Sequence, residues 1–179
     1  MLYFEDIQIN QKHISGEYVI SKEEIIAFAT VWDPQPFHID EEEAKKWPLG
    51  LTASSIHSYA ICSRLATGMT TEWPAVVAGL GIDEMRMPLP VRPDDRLHAV
   101  SYIESKRESA SKPDMGIITS RNQLINQHGE TVLSYKTSSL IFRRPAALAI
   151  TTCTIWPFIR IVWQTLITLR CMSILPTHS

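Results

Sequence analysis

The stretch VWDPQPFHID, residues 31–40, sets a carboxylate and an imidazole five positions apart with two prolines between them. As a pair, Asp33 and His38 suit general acid–base work on one water, because their ordinary pKa values differ and each can take or return a proton. On a continuous helix, positions i and i+5 lie about 140° apart around the axis and could not serve one atom. Pro34 and Pro36 exclude that helix. Each fixes its own φ, removes an amide donor and pushes the preceding residue toward extended backbone. The stretch reads as a stiff loop at a helix end that aims both side chains at one point. The competing reading is a helix stop followed by a solvated acid and a partly buried histidine, and spacing alone does not separate the two.

Other residues offer less. His57 falls in the first turn of a helix, His98 in a strand and His128 in a turn; packing is the expected use of His57. No His pair has metal-ligand spacing and no Cys joins one, so no metal site is expected. Ser54 lacks a G-x-S-x-G context, which argues against a nucleophilic serine. Arg86 and Arg92 could meet phosphates or stand as solvated charges.

The elements that must position Asp33 and His38 are legible. SKEEIIAFATVW opens on Ser21 with Glu24 three residues on, a capping box. Ile25, Phe28, Ala29 and Trp32 follow at helical spacing and predict one buried stripe that runs into Asp33. DEEEAKKW predicts a short second helix with its acids in the first turn and its lysines near the end, closed by Pro48. Residues 54–69 predict the longest helix, with Ile56, Tyr59, Ala60, Ser63 and Thr67 as its buried stripe. From residue 76 the period changes. VVAGLGIDEMRM, RLHAVSYIESK, GIITSRNQLIN and TVLSYKTSSLIF are extended runs rich in Val, Ile, Thr and Tyr, separated by turn-forming PLPVRPDD, SASKPD and NQHGE. Helices first and an antiparallel meander afterwards argue for an α+β fold with a helix against the sheet.

DPQPFHIDEEEAKKWPLGLTASSIHS, followed by MRMPLPVRPDDRL and NQHGETVLSYK, resembles the MaoC-like dehydratase family of hot-dog folds, which includes the (R)-specific enoyl-CoA hydratases. The resemblance covers most of residues 1–145. It implies an antiparallel sheet wrapped around one long central helix, and a D-x-N-P-x-H loop whose catalytic pair falls on Asp33 and His38. It also implies a homodimer with paired sheets, a CoA or acyl-carrier thioester as substrate near the interface, and no separate cofactor.

That chemistry suits the residues. Hydration of a 2-enoyl thioester adds water at the β-carbon while a proton reaches the α-carbon, so two groups on one face can serve both events. The oxygen that gains charge needs donors, and the start of the long helix at Ser54, Ser55 and Ile56 supplies free N–H groups as the expected substrate-binding element. Three departures from the family pattern stand out. Gln35 replaces the usual Asn, Ala53-Ser54-Ser55 replaces Ala-Ser-Gly, and Arg92-Pro93-Asp94-Asp95 replaces R-P-G-D. Ser55 brings a Cβ where glycine would let a ligand approach closely. Asp tolerates the left-handed conformation, so the last turn is expected to form. The alternative class is a hot-dog thioesterase or a non-catalytic acyl-thioester-binding module, which has less need of His38 beside the acid.

Bulk properties set the remaining bounds. A chain of 179 residues suits one domain with a core. Net charge −2 and pI near 6.3 give no electrostatic reason to expect nucleic acid. Cys62, Cys153 and Cys171 are odd in number and far apart, which fits reduced thiols and a cytoplasmic location, and no signal peptide is visible. Residues 1–145 are expected to hold the complete domain. Residues 146–179 form an atypical apolar tail, interrupted by Pro157, Arg160 and Arg170. Its longest charge-free run falls short of the roughly 20 residues that span a bilayer. A shifted reading frame, a segment packed on the domain or a partner, and an interfacial membrane helix are three readings of it, with the first favoured.

Overall fold

The computed structural model describes residues 1–69, 72 and 74–145. Two short strands come first, β1 (Lys12–Ile14) and β2 (Tyr18–Val19). Then come α1 (Lys22–Trp32), the single turns α2 (Pro36–Ile39) and α3 (Glu41–Ala44), and α4 (Ser55–Thr67). Four long strands complete the order: β3 (Val76–Arg86), β4 (Arg96–Glu108), β5 (Met115–Ile125) and β6 (Thr131–Phe142). They form an antiparallel sheet in the order β1-β4-β5-β6-β3, and β2 pairs with β4 beside β1. The four long runs expected from composition are the four long strands. The two short ones carry too few residues to show a period, and pairing with β4 makes them strands.

α4 packs on β4 and β5 and is the longest helix among the described residues. The main core lies between it and the sheet, where Ile61, Cys62, Leu97, Leu124, Leu133 and Tyr135 are all buried with Ile20 and Ile25. A second cluster forms where the first residues of the chain cross the sheet, with Phe4 and Ile7 against Ile103, Ile118 and Ile141. The cover requires Gly116, because a Cβ there would lie 2.6 Å from Phe4 Cγ.

Two expected stripes are corrected. In α4 the buried residues are His57, Ser58, Ile61 and Cys62, while Ile56 is 53% exposed. The sheet lies a step around the helix from the stripe chosen on apolarity. His57 turns instead to α1, where its ring stacks on Phe28, whereas Tyr59, Ser63 and Thr67 line an open hollow. In α1, Ile25 and Ala29 are buried but Trp32 is 68% exposed. Trp32 shares the face of Ile25, so its exposure shows that the last turn runs past the edge of the core. The Ser21 cap forms, its Oγ accepting the Glu24 N–H at 3.1 Å, but the Glu24 carboxylate turns to the Tyr18 hydroxyl and does not close the box. The acidic second helix is the one turn of α3, ending at Ala44 before Pro48. The tail at residues 146–179, and the boundary drawn before it, involve segments outside the described residues.

Candidate active site

Three helix ends meet around Asp33 and His38. α1 ends at Asp33, whose N–H still reaches the Ala29 carbonyl at 2.8 Å while its own φ of −157° has left the helix. Pro34 has no N–H to continue the ladder. Pro36 then starts α2, where its fixed φ suits the first helical position. The expected loop is thus partly a helical turn, and that turn carries His38. Its N–H bonds the Gln35 carbonyl at 2.8 Å.

The His38 ring is buried and edge-on to Phe37. Its Nδ1 lies 2.6 Å from the Thr52 carbonyl. A carbonyl oxygen only accepts, so Nδ1 carries the proton and the neutral ring keeps its lone pair on Nε2. Nε2 stands 3.8 Å from Asp33 Oδ2. That is too long for a direct hydrogen bond, and it leaves room for one water oxygen at about 2.8 Å from each atom. The other carboxylate oxygen, Oδ1, is held by the Gln35 side-chain amide at 2.9 Å. Gln35, noted from the sequence only as a departure, orients the acid. Thr52 gave no sequence signal at all, because its contribution is a backbone carbonyl that any residue possesses.

α4 begins alongside. Ser54 is buried, and its Oγ accepts the His57 N–H at 3.2 Å while its carbonyl takes the Ser58 N–H at 3.0 Å. Capping thus leaves the Ser55 and Ile56 N–H groups as the unused donors at the positive end of the helix. The three expected substrate-binding residues therefore divide. Ser55 lines the cavity that also exposes His38, Ser54 shapes the helix start, and Ile56 can contribute its backbone, since its side chain points to solvent. The cavity measures about 450 Å³, and its walls are apolar: Phe37, Trp47, Leu49, Met87, Leu89 and Val91. A larger hollow of about 760 Å³ between α4 and the sheet touches neither Asp33 nor His38.

His57 is a packing residue. Its ring stacks on Phe28 with centroids 4.1 Å apart and planes 5° from parallel. Burial holds its pKa below the usual 6.5, against a smaller opposing pull from Glu24 at 3.9 Å. Cys62 is likewise buried, and its thiol pKa is pushed up to about 11 by desolvation. The two arginines considered for phosphates bond backbone carbonyls, Arg86 that of Met85 and Arg92 that of Leu49. No helix among the described residues is long and apolar enough to cross a membrane.

Comparison with known proteins places this fold. A family model described as MaoC like domain matches residues 6–122. The uncharacterized protein YdeM of Bacillus subtilis is 31% identical over 140 residues, spanning 78% of this chain and 98% of its own. A MaoC-like dehydratase from Rhodospirillum rubrum superposes with a TM-score of 0.76 at 35% identity, covering 82% of this chain and all of that one. The (R)-hydratase PhaJ1 of Pseudomonas aeruginosa, unliganded, shares the fold with a TM-score of 0.64 at 19% identity over 79% of this chain and 86% of its own.

Proposed function

The chain belongs to the MaoC-like domain family and has its hot-dog fold, and from that premise we propose that it hydrates a 2-enoyl thioester, or dehydrates the 3-hydroxyacyl thioester, with Asp33 and His38 as the acid–base pair. The observation that carries the reading is the His38 Nε2 lone pair facing Asp33 Oδ2 at 3.8 Å, beside free N–H groups at the start of α4. A water between the two acceptors donates one hydrogen to each. As its oxygen bonds to the β-carbon, one proton passes to Nε2. The resulting imidazolium lies between the Thr52 carbonyl and the Asp33 carboxylate. That proton then goes to the α-carbon on the same face, which gives syn addition. The thioester oxygen gains charge in between and is met by the Ser55 and Ile56 N–H groups, preset before the reaction begins.

An apolar cavity fits the acyl part of such a substrate, carried on CoA or an acyl carrier. β3 supports a homodimer. It is the last strand of the sheet, nearly every residue in it is exposed, and Val76, Leu80 and Ile82 offer an apolar edge that soluble chains rarely leave open. A cytoplasmic location is part of the same proposal, on the odd number and wide spacing of the cysteines in the sequence.

Crotonyl-CoA tests the reading. Loss of the conjugated enoyl absorbance with no free thiol is the expected result. Thiol release at the same rate would instead make the protein a thioesterase, and inertness toward enoyl thioesters of every chain length would leave only the binding module.

A further inference from the structure

The sequence leaves Arg92 as a phosphate contact or a solvated charge, and the structure gives it a different use. The Arg92–Asp95 turn is rigid without any help from the arginine side chain. Asp95 is buried, accepts the Arg92 N–H at 2.7 Å and is bonded by the Gln127 amide at 2.9 Å. Asp94 takes the left-handed conformation at φ 67° and donates its N–H to the Ile20 carbonyl at 2.8 Å. From this base the guanidinium Nη1 donates to the carbonyl of Leu49, 43 residues away in sequence. Gly50 then turns the chain with φ 66°, a conformation glycine adopts without strain. Four residues after Leu49, the Ala53 N–H donates to the Val91 carbonyl at 2.9 Å. The segment 49–53 is therefore tied at both ends to residues 91 and 92. Between the ties sits Thr52, whose carbonyl meets His38 Nδ1.

We propose that Arg92 is a positioning residue for the reaction, acting through Leu49 and Thr52 on the His38 ring. This rests on the hydratase reading of Asp33 and His38. Pinning Leu49 limits the travel of the Thr52 carbonyl, and that carbonyl keeps the proton on Nδ1 and the lone pair on Nε2. Without the tie the segment keeps the Ala53 bond, the Gly50 N–H bond to the Trp47 carbonyl at 3.1 Å and the burial of Leu51, but loses its link to the Arg92 turn. The Thr52 carbonyl then samples positions from which it no longer selects the tautomer, and part of the population presents Nε2–H toward Asp33. That form cannot take a proton from the water.

The test uses the full chain with Arg92→Met, which keeps the apolar stem and removes every donor, and Arg92→Lys, which restores one. Arg92→Met is expected to lower kcat with crotonyl-CoA by roughly ten-fold with KM within about two-fold, since orientation and not binding is lost. Arg92→Lys is expected to recover most of it. Nitrogen NMR of the ring, with the His38 signals identified by their loss in His38→Ala, is expected to show Nδ1–H in the wild type and a tautomer mixture in Arg92→Met. A rise in KM alone would overturn the proposal and make Arg92 a substrate contact, and unchanged kinetics would overturn it as well. The NMR readout needs no turnover. An unchanged Nδ1–H signature in Arg92→Met refutes the positioning role even if enoyl thioesters prove not to be substrates, whereas inert wild-type protein with a shifted tautomer refutes only the hydratase reading.

Discussion

Asp33→Asn isolates what the carboxylate contributes, because it keeps the shape and removes the charge. The Gln35 amide donates to Oδ1 at 2.9 Å, so the amide oxygen of the variant settles there and its NH₂ replaces Oδ2. That places a donor opposite the Nε2 lone pair, where the wild type has an acceptor at 3.8 Å. Two losses follow. The water loses one of its two acceptors, and the imidazolium formed during proton transfer loses its counter-charge. At 3.8 Å and an effective dielectric of about 20, a full charge pair is worth roughly 4 kcal/mol. Each 1.36 kcal/mol is a factor of ten in rate, and the charge is only partly developed at the transition state. The expected fall in kcat is therefore about two to three orders of magnitude, within the range measured for positioned acid–base groups.

The assay is enoyl absorbance with crotonyl-CoA, with circular dichroism and a melting curve to show an unchanged fold. His38→Ala belongs in the same series. Both variants disable one proton relay, so the double variant is expected to be no slower than the slower single one. A kcat for Asp33→Asn within about three-fold of wild type would refute the reasoning, because no positioned base is removed at so small a cost. Multiplicative losses in the double variant would show that the two residues do not share a water.

Two further expectations follow from packing. Gly116→Ala drives a methyl group into the Phe4 ring and is expected to cost about 1–3 kcal/mol, while adding Phe4→Ala should make the glycine change nearly neutral; additive losses in denaturant unfolding would contradict the contact. His57 has its folded pKa below the usual 6.5, so the unfolded chain takes up the proton first and stability falls as pH drops below about 6.5. Melting temperatures between about pH 7.5 and pH 5.5 should decline less in His57→Phe, which keeps the stack on Phe28, than in the wild type; parallel declines would assign the acid sensitivity to other groups.

How much of this was legible depended on whether the cause was local. The Ser21 cap, the end of α1 at Pro34 and the four long strands follow from neighbouring residues, and each stands within a residue or two of its expected place. So does the left-handed Asp94 that stands in for glycine. The buried face of α4 was misplaced because apolarity was taken as the guide. In that helix the neighbouring elements decide, and His57, stacked on Phe28 of α1, and Ser58 are interior while Ile56 is not. Trp32 was misplaced because periodicity reports which side of a helix is buried but not where along its length the core stops. The contacts of Thr52, Leu49 and Arg92 could not be read from the sequence, which offered Arg92 only as a phosphate contact or a solvated charge. Those contacts are made by two backbone carbonyls and a side chain from a distant turn, and neither pattern nor propensity encodes that meeting.

The same geometry explains why the site sits at helix ends. A carboxylate and an imidazole that both face one water must be held apart by about 4 Å yet kept from closing on each other. Residues five apart on one regular helix cannot do this, since they lie about 140° apart around its axis. Here Asp33 is the residue at which α1 fails, and His38 rides on the next turn, which Pro36 restarts in a new direction. Each is then locked by a partner outside its own helix, Gln35 for the acid and Thr52 for the ring. The third requirement, donors for the thioester oxygen, is also met at a helix end, because the first turn of a helix such as α4 has N–H groups to spare. Ser54 uses its hydroxyl on His57 and leaves Ser55 and Ile56 open, so the cap chooses which donors remain. The Cβ of Ser55 faces the cavity beside them. The departure that most alters the family pattern thus adds bulk to the pocket wall and removes none of the three groups on which the proposed hydration depends.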